Sequence, residues 1–350
     1  MRNFIRYAVR LLPWLLVLAS CRGGGAVPTD TPAPKPTPKP PVYALIVKEK
    51  TNPYMLKMYE GFAAACEEIG AVPVFEGPGA YTADAQIEII ERLVDARSVD
   101  AIAIAANDAD ALEPSLRAAM NAGISVLSLD SSVNPGGRMT HIQQASPELI
   151  GRVLIQAAWS MVGGRGKVGL ISSTLYATNQ NLWISWMLKE IEENPLKYKD
   201  FELLPVLYGD DDPDKSAEAA LLLLETHRDL GAIITPSVVG MLAVGRVLEA
   251  RPPDVVFTGL GLPSEIAPFI RSGHCPWMYL WNPIDIGYLA SWSAHALHTG
   301  AITGAVGDIL TAGRLGQRFV TVSADGGTEI LLGDPVKFDS GNIGEWELVY

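Results

Sequence analysis

From residue 43 onward, short continuous apolar runs alternate with longer stretches whose apolar positions recur three and four residues apart. The runs at 43–47, 72–76 and 101–105, and the one that opens at Ile124, read as strands. The stretches 54–69, 84–96 and 109–122 read as helices, the first closed by Gly70 and the last by Gly123. In 84–96 the helical spacing is carried by Ile87, Ile90, Leu93 and Val94. Strands that are apolar throughout, rather than alternating, belong to parallel sheets covered on both faces. Four such βα units predict one doubly wound lobe.

A second series begins after Gln144. Helix 147–161 leads through the glycine turn 163–166 to strand 168–172, helix 179–193, strand 203–208 and helix 214–227. Strand 232–235, helix 237–250, strand 255–259 and helix 264–271 follow, then a short strand at 278–280 and a helix at 284–299. Two such series over about 300 residues predict an α/β fold of two doubly wound parallel-sheet lobes with a cleft between them.

Before residue 43 the pattern is different. Arg2, Arg6 and Arg10 form a basic segment, and Leu11 to Leu18 (LLPWLLVL) an apolar one too short to span a bilayer as a helix. Leu18-Ala19-Ser20-Cys21 resembles the lipobox of bacterial lipoproteins, which implies removal of residues 1–20 and lipidation at Cys21. Residues 21–41 then read as a proline-rich tether. VPTDTPAPKPTPKPP favours extended polyproline II, and twenty such residues reach roughly 60 Å at about 3.1 Å each. The body is therefore expected outside the cytoplasm, held to the membrane by lipid alone.

The formal charge is −12, and loss of residues 1–20, with three arginines and no acid, takes it to −15. A chain so acidic is a poor partner for nucleic acid. Of the three cysteines, Cys66 shares a helix face with Met55, Phe62 and Ile69 and reads as core. Cys275 lies in a turn-rich stretch, and whether it pairs with Cys66 is open from the sequence.

The candidate chemistry gathers where strands end. Ile124 to Pro135 (ISVLSLDSSVNP) runs from a buried strand into Asp130, Ser131 and Ser132, and open α/β sheets bind ligands at the carboxyl ends of their strands. Lys48 ends the first strand, with Asn52-Pro53-Tyr54 opening the helix behind it, and Asn107 ends the third. Asn179 and Gln180 open a helix with Trp183 one turn on, Pro236 and Val238 follow strand 232–235, and Trp281-Asn282 follows strand 278–280. Amides, a carboxylate and an ammonium satisfy hydroxyls, and an indole face packs on a sugar ring. Taken singly each is a cap or turn residue; as a set at one edge of two sheets they predict a polar small-molecule cleft.

Catalytic constellations are weak. There is no HExxH, and His295 and His298 share a helix face with no carboxylate or cysteine spaced to join them. The acidic run Asp210 to Asp214 (DDDPD) lacks the spacing of a calcium loop and reads as a solvated loop with a helix cap. GxGxxG, Walker A and GxSxG motifs are absent. No cofactor, no metal and no enzymatic activity are expected.

YALIVKEKTNPY, AIAIAANDADAL, ISVLSLDSSVNPGG with HIQQ, and SSTLYATNQNLW resemble the type I periplasmic binding proteins of ABC sugar importers. VLYGDDDPDKS, GAIITPSVVG, FTGLGLPSEI, LWNPIDIGYLA and KFDSGNIG extend the resemblance to the C-terminus. The nearest branch holds rhamnose-binding and autoinducer-2-binding proteins. The resemblance implies three crossovers between lobes, near Gln144, Trp281-Asn282 and Val320. One lobe would then comprise residues 43–145 and 282–319, the other 146–281 and 320–350.

It also implies ligand contacts at Lys48, Asp130, Asn179, Gln180, Pro236 and Val238. Ser132 and Asn179 stand where the autoinducer-binding pattern has acids, whereas GLGLP, LWNP and IAAND look more like the rhamnose branch. The expected ligand is therefore a monosaccharide, with a deoxyhexose such as L-rhamnose preferred, and the expected partner an ABC transporter permease served by a monomer. A signalling receptor for autoinducer-2 or a sugar, and an enzyme on the same fold, stay open as alternatives.

Overall fold

A computed structural model describes residues 39–350. The basic and apolar leader, Cys21 and nearly all of the proline-rich tether lie outside the described residues. In the first half β1 (Val42–Ile46), α1 (Pro53–Ile69), β2 (Val72–Glu76), α2 (Ala83–Asp95), β3 (Ala101–Ile104), α3 (Ala109–Asn121), β4 (Ser125–Leu129) and β5 (Thr140–Ala145) follow in order. The helices begin and end where local chemistry dictates. Asn52 caps α1 by accepting from the Tyr54 N–H, Pro53 occupies its first turn, and Gly70 closes it at φ 77°. Asp108 caps α3 by accepting from the N–H groups of Asp110 and Ala111.

The second half runs α4 (Pro147–Met161), β6 (Gly166–Ser172), α5 (Thr178–Glu193), β7 (Phe201–Tyr208), α6 (Pro213–Thr226), β8 (Leu230–Thr235), α7 (Val238–Glu249), β9 (Val256–Gly259) and α8 (Pro263–Ser272). The chain closes with β10 (Trp277–Leu280), α9 (Pro283–His298), β11 (Ile309–Thr311), β12 (Gln317–Val322), β13 (Thr328–Gly333), β14 (Val336–Asp339) and α10 (Ile343–Trp346).

One sheet has eight strands in the order β11-β12-β13-β5-β4-β3-β1-β2, and another has four in the order β7-β6-β8-β9. From β13 to β2 the larger sheet is parallel, and the smaller is parallel throughout. The two faces of the larger sheet are distinct cores. Tyr43, Leu45, Ala101 and Ala103 pack toward α1 and α9, while Ala44, Ile46, Ile102 and Ile104 pack toward α2 and α3. The apolar runs without alternation have this cause.

Helices α1 and α9 cross with their backbones in contact. A Cβ on Gly61 would lie 1.8 Å from the Ile284 carbonyl oxygen, and one on Gly287 would lie 1.7 Å from that of Met58. Only hydrogen fits at either position, which brings the start of α9 beside the start of α1.

Two features depart from the sequence reading. Residues 140–145 form a strand, β5, buried along its whole length although THIQQA is mostly polar. Two of its polar side chains find partners within the protein: His141 Nδ1 lies 2.8 Å from Ser128 Oγ, and Gln143 Nε2 donates to the Ala145 carbonyl at 3.0 Å, whereas Thr140 Oγ1 and Gln144 Nε2 are buried without one. The third crossing also moves. Val320 pairs with Ile330, and β13 pairs parallel with β5, so residues 317–333 belong to the larger sheet rather than departing near Val320. Burial of Val320 and Ile330 against that sheet is the reason. The chain leaves it only after Gly333, and β14 then pairs antiparallel with β10.

Cys66 and Cys275 are both fully buried and unpaired. Cys66 lies in α1 with its Sγ 3.2 Å from Ser291 Oγ, and burial pushes its thiol up to about 11. No helix among the described residues is long and apolar enough to cross a membrane.

Candidate functional site

The carboxyl ends of both parallel sheets face one cavity. Lys48 follows β1, Asp130 follows β4, Asp211 follows β7, and Pro236, Ser237 and Val238 follow β8. Asn52, Tyr54 and Met55 come from the start of α1, Asn179, Gln180 and Trp183 from α5, and Leu280 and Trp281 from the end of β10. These residues surround about 430 Å³ of empty space, open solvent included.

Asp130 is the most constrained of these groups. It sits at φ 60°, a left-handed conformation that aspartate tolerates better than most residues, and is 5 % exposed. The turn is tight enough for Leu129 and Ser131 to bridge. Tyr54 Oη donates to its Oδ1 and Asn179 Nδ2 to its Oδ2, each at 3.3 Å. Trp281 Nε1 in turn donates to Tyr54 Oη at 2.7 Å, so the phenol is oriented from the far side. Burial raises the Asp130 carboxyl above its ordinary value, while the Lys48 ammonium pulls it back.

On the opposite wall, Gln180 Oε1 accepts from Ser172 Oγ and the Ser173 N–H at 2.7 and 2.8 Å, which leaves its amide nitrogen for the cavity. Trp183 and Trp281 meet with ring centroids 5.7 Å apart at 58°, and the buried Trp183 Nε1 has no protein partner. The lining is therefore a carboxylate, an ammonium and amides beside two indoles. Such a surface accepts and donates hydrogen bonds at once, and packs flat apolar faces.

Of the residues expected from strand ends, Lys48, Asn52, Tyr54, Asp130, Asn179, Gln180, Trp183, Pro236, Val238 and Trp281 meet here. Asn107 and Asn282 do not line the cavity. Asn107 Nδ2 donates to the Lys48 carbonyl at 3.0 Å and the Thr82 carbonyl at 3.3 Å, so it fixes the backbone that carries Lys48. Asn282 caps α9 by accepting from the Ile284 N–H.

Asp211 is the residue the acidic run concealed. Asp210 and Asp211 take φ values of 53° and 49°, which turn the chain sharply after β7 and bring Asp211 into the cavity, where Ser237 Oγ donates to it. Burial raises its carboxyl, again opposed by Lys48, so one ammonium faces two carboxylates. Asp212, its neighbour, caps α6 from an exposed position. A place past a strand end marks the acidic run, but not which of its aspartates turns inward. His295 is occupied elsewhere, its Nδ1 lying 2.8 Å from Tyr43 Oη. Among the described residues no group of three or more His, Cys, Asp or Glu is placed to hold a metal ion.

The sequence profile of the periplasmic binding protein domain matches residues 43–302. An ABC transporter solute-binding protein from Clostridium phytofermentas, solved with bound L-rhamnose, is 41 % identical; the match covers 89 % of this chain and 99 % of that one, with a TM-score of 0.85. The D-ribose/D-allose-binding protein of Pseudomonas aeruginosa is 25 % identical over 68 % of this chain and 76 % of its own length. LsrB from Clostridium saccharobutylicum, solved with AI-2, is 21 % identical over 87 % of this chain and 99 % of its own, with a TM-score of 0.80, a likeness of fold.

Proposed function

Given that the chain belongs to the periplasmic binding protein domain family, we propose that it captures a monosaccharide, a deoxyhexose such as L-rhamnose, and hands it to an ABC permease. The relatives are substrate-binding proteins and not enzymes, and no residue here is assigned a catalytic role. The observation that carries the reading is the buried Asp130 carboxylate, held by Tyr54 and Asn179 beside the paired indoles of Trp183 and Trp281. A sugar hydroxyl pair replaces the long contacts to Asp130 with shorter charge-assisted ones, and the ring packs on indole. The relative solved with L-rhamnose supports the choice of sugar.

Calorimetry against L-rhamnose, L-fucose, D-ribose and D-glucose tests it. The expected result is tightest binding to L-rhamnose; no heat with any sugar from a folded protein defeats the reading. A second reading, autoinducer-2, draws on one observation. Asp211 supplies a second carboxylate in the cavity, so the polyhydroxylated signal belongs in the same calorimetric panel.

The protein acts outside the cytoplasm, as a monomer tied to the membrane through Cys21. A Cys21→Ser variant is expected in the soluble fraction with unchanged sugar affinity. Its persistence in salt-washed membranes would remove the lipid anchor from the proposal.

A further inference from the structure

The cavity does not end at its own wall. Asn52 and Asp211 also line a second, larger chamber, of about 1,520 Å³ of empty space with open solvent included, so the two adjoin at these residues. All of this chamber's aromatic lining comes from βα loops at the same strand ends: Tyr81 after β2, Tyr176 after β6 and Tyr208 at the end of β7. Tyr81 stands at the junction, its Oη accepting from Asn52 Nδ2 at 2.8 Å. Tyr176 is 65 % exposed, with its ring uncovered. Glu49, at the floor, is nearly buried and directs its carboxylate to the Thr51 N–H and hydroxyl.

On another side the walls of the inner cavity already touch. Thr178 Oγ1 donates to the Ser132 carbonyl at 3.4 Å, and Asn179 reaches Asp130, so the loop after β4 touches the start of α5. The outer chamber therefore coexists with direct contact across the inner one. A monosaccharide in the inner cavity would leave this chamber to solvent. Phenol faces with hydroxyl and carboxylate groups between them have the chemistry of the inner site over again, with tyrosine in place of tryptophan.

We infer that the outer chamber is a second sugar subsite, and that the ligand is a short glycoside. Its terminal deoxyhexose occupies the inner cavity, and its next ring lies against Tyr176 and Tyr208, the linkage passing between Asn52 and Asp211. This inference rests on the proposed sugar-binding role of the inner cavity and adds the size of the substrate.

The test is calorimetry with L-rhamnose and with an α-linked disaccharide of it, rhamnobiose, on the wild type and on Tyr176→Ala. The side chain of Tyr176 is largely in solvent, so the variant should fold with unchanged thermal stability. Rhamnobiose should bind the wild type at least as tightly as L-rhamnose. Tyr176→Ala should weaken rhamnobiose roughly three- to tenfold and L-rhamnose by less than about twofold. Rhamnobiose binding weaker than L-rhamnose, or equal losses for both sugars in the variant, overturns the second subsite and leaves the inner one standing. Failure of both sugars to bind a folded wild type overturns the sugar-binding role and this inference with it.

Discussion

Asp130 and Asp212 are both aspartates just past a strand, yet removing them should have opposite consequences. Asp130 has two donors at 3.3 Å, and in the proposed complex it exchanges them for sugar hydroxyls. At about 1.5–3 kcal/mol for each charge-assisted bond, Asp130→Ala should weaken sugar binding by roughly two orders of magnitude or more. Asp212 accepts from the N–H groups of Asp214 and Lys215, so Asp212→Ala should cost about 1 kcal/mol of stability and leave affinity for a monosaccharide unchanged. Calorimetry and urea melts on the two variants read the difference directly. The pH dependence has a definite sign. Burial holds the Asp130 carboxyl above 3.8, so the folded protein keeps that proton longer than the unfolded chain does. Its contribution to stability is present at low pH and lost as pH rises through the raised value. Affinity runs the other way, since the sugar needs the ionised carboxylate and should be lost on acidification before an ordinary aspartate would titrate. Asp211 adds to the rise, so Asp211→Asn should move the binding midpoint to lower pH. An unmoved midpoint would uncouple the two carboxylates. Of this pair, Asp130 was legible in the sequence and Asp211 was not. Three adjacent aspartates look alike until two left-handed residues aim one inward and the next is spent on capping a helix.

Among the elements, α1 and α9 set the site most directly, because α1 carries Tyr54 and α9 begins just past Trp281. Their backbones touch at Gly61 and Gly287. Gly287→Ala puts a methyl where the Met58 carbonyl oxygen already is, and the helices must separate. A loss of about 2 kcal/mol or more in denaturant melts is expected, with weaker sugar binding as Trp281 shifts from Tyr54. Unchanged stability would mean that α9 yields without strain. The apolar strands and the amphipathic helices could be read from spacing alone, since each run is covered on both faces and each helix on one. β5 could not. A strand that buries His, Gln and Gln depends on partners such as Ser128 on the neighbouring strand, and hydropathy carries no trace of such a partner. The pairing of β12 with β13 was hidden for a related reason: QRFVTV is mostly exposed, with one fully buried position, Val320.

For the whole molecule, the chain passes three times between the side of the eight-stranded sheet and the side that holds β6 to β10: after β5, near Trp281, and after Gly333, where β14 joins β10. We propose that these three strands of backbone form a hinge between two lobes. Contacts such as Asp130 with Asn179 join the two sides, and a ligand that bridges both favours closure only through contacts absent when open. Saturating L-rhamnose should therefore reduce the radius of gyration in small-angle scattering, and superimposable curves from a confirmed complex would count against a hinge. Two of the three crossings were legible, because a helix start follows each at Pro147 and Pro283, whereas the third, at Asp334-Pro335, joins two short strands of different sheets and opens no helix. The two buried thiols give this division an experimental handle. Cys66 lies under the eight-stranded sheet and Cys275 beside β10, one on each side, and burial keeps both protonated at neutral pH. Neither can be alkylated until its surroundings open, so each is a clock for its own half. In a Cys21→Ser background, mass-resolved pulse labelling in graded urea should mark both at one rate if the halves unfold together, and at two rates if each unfolds alone.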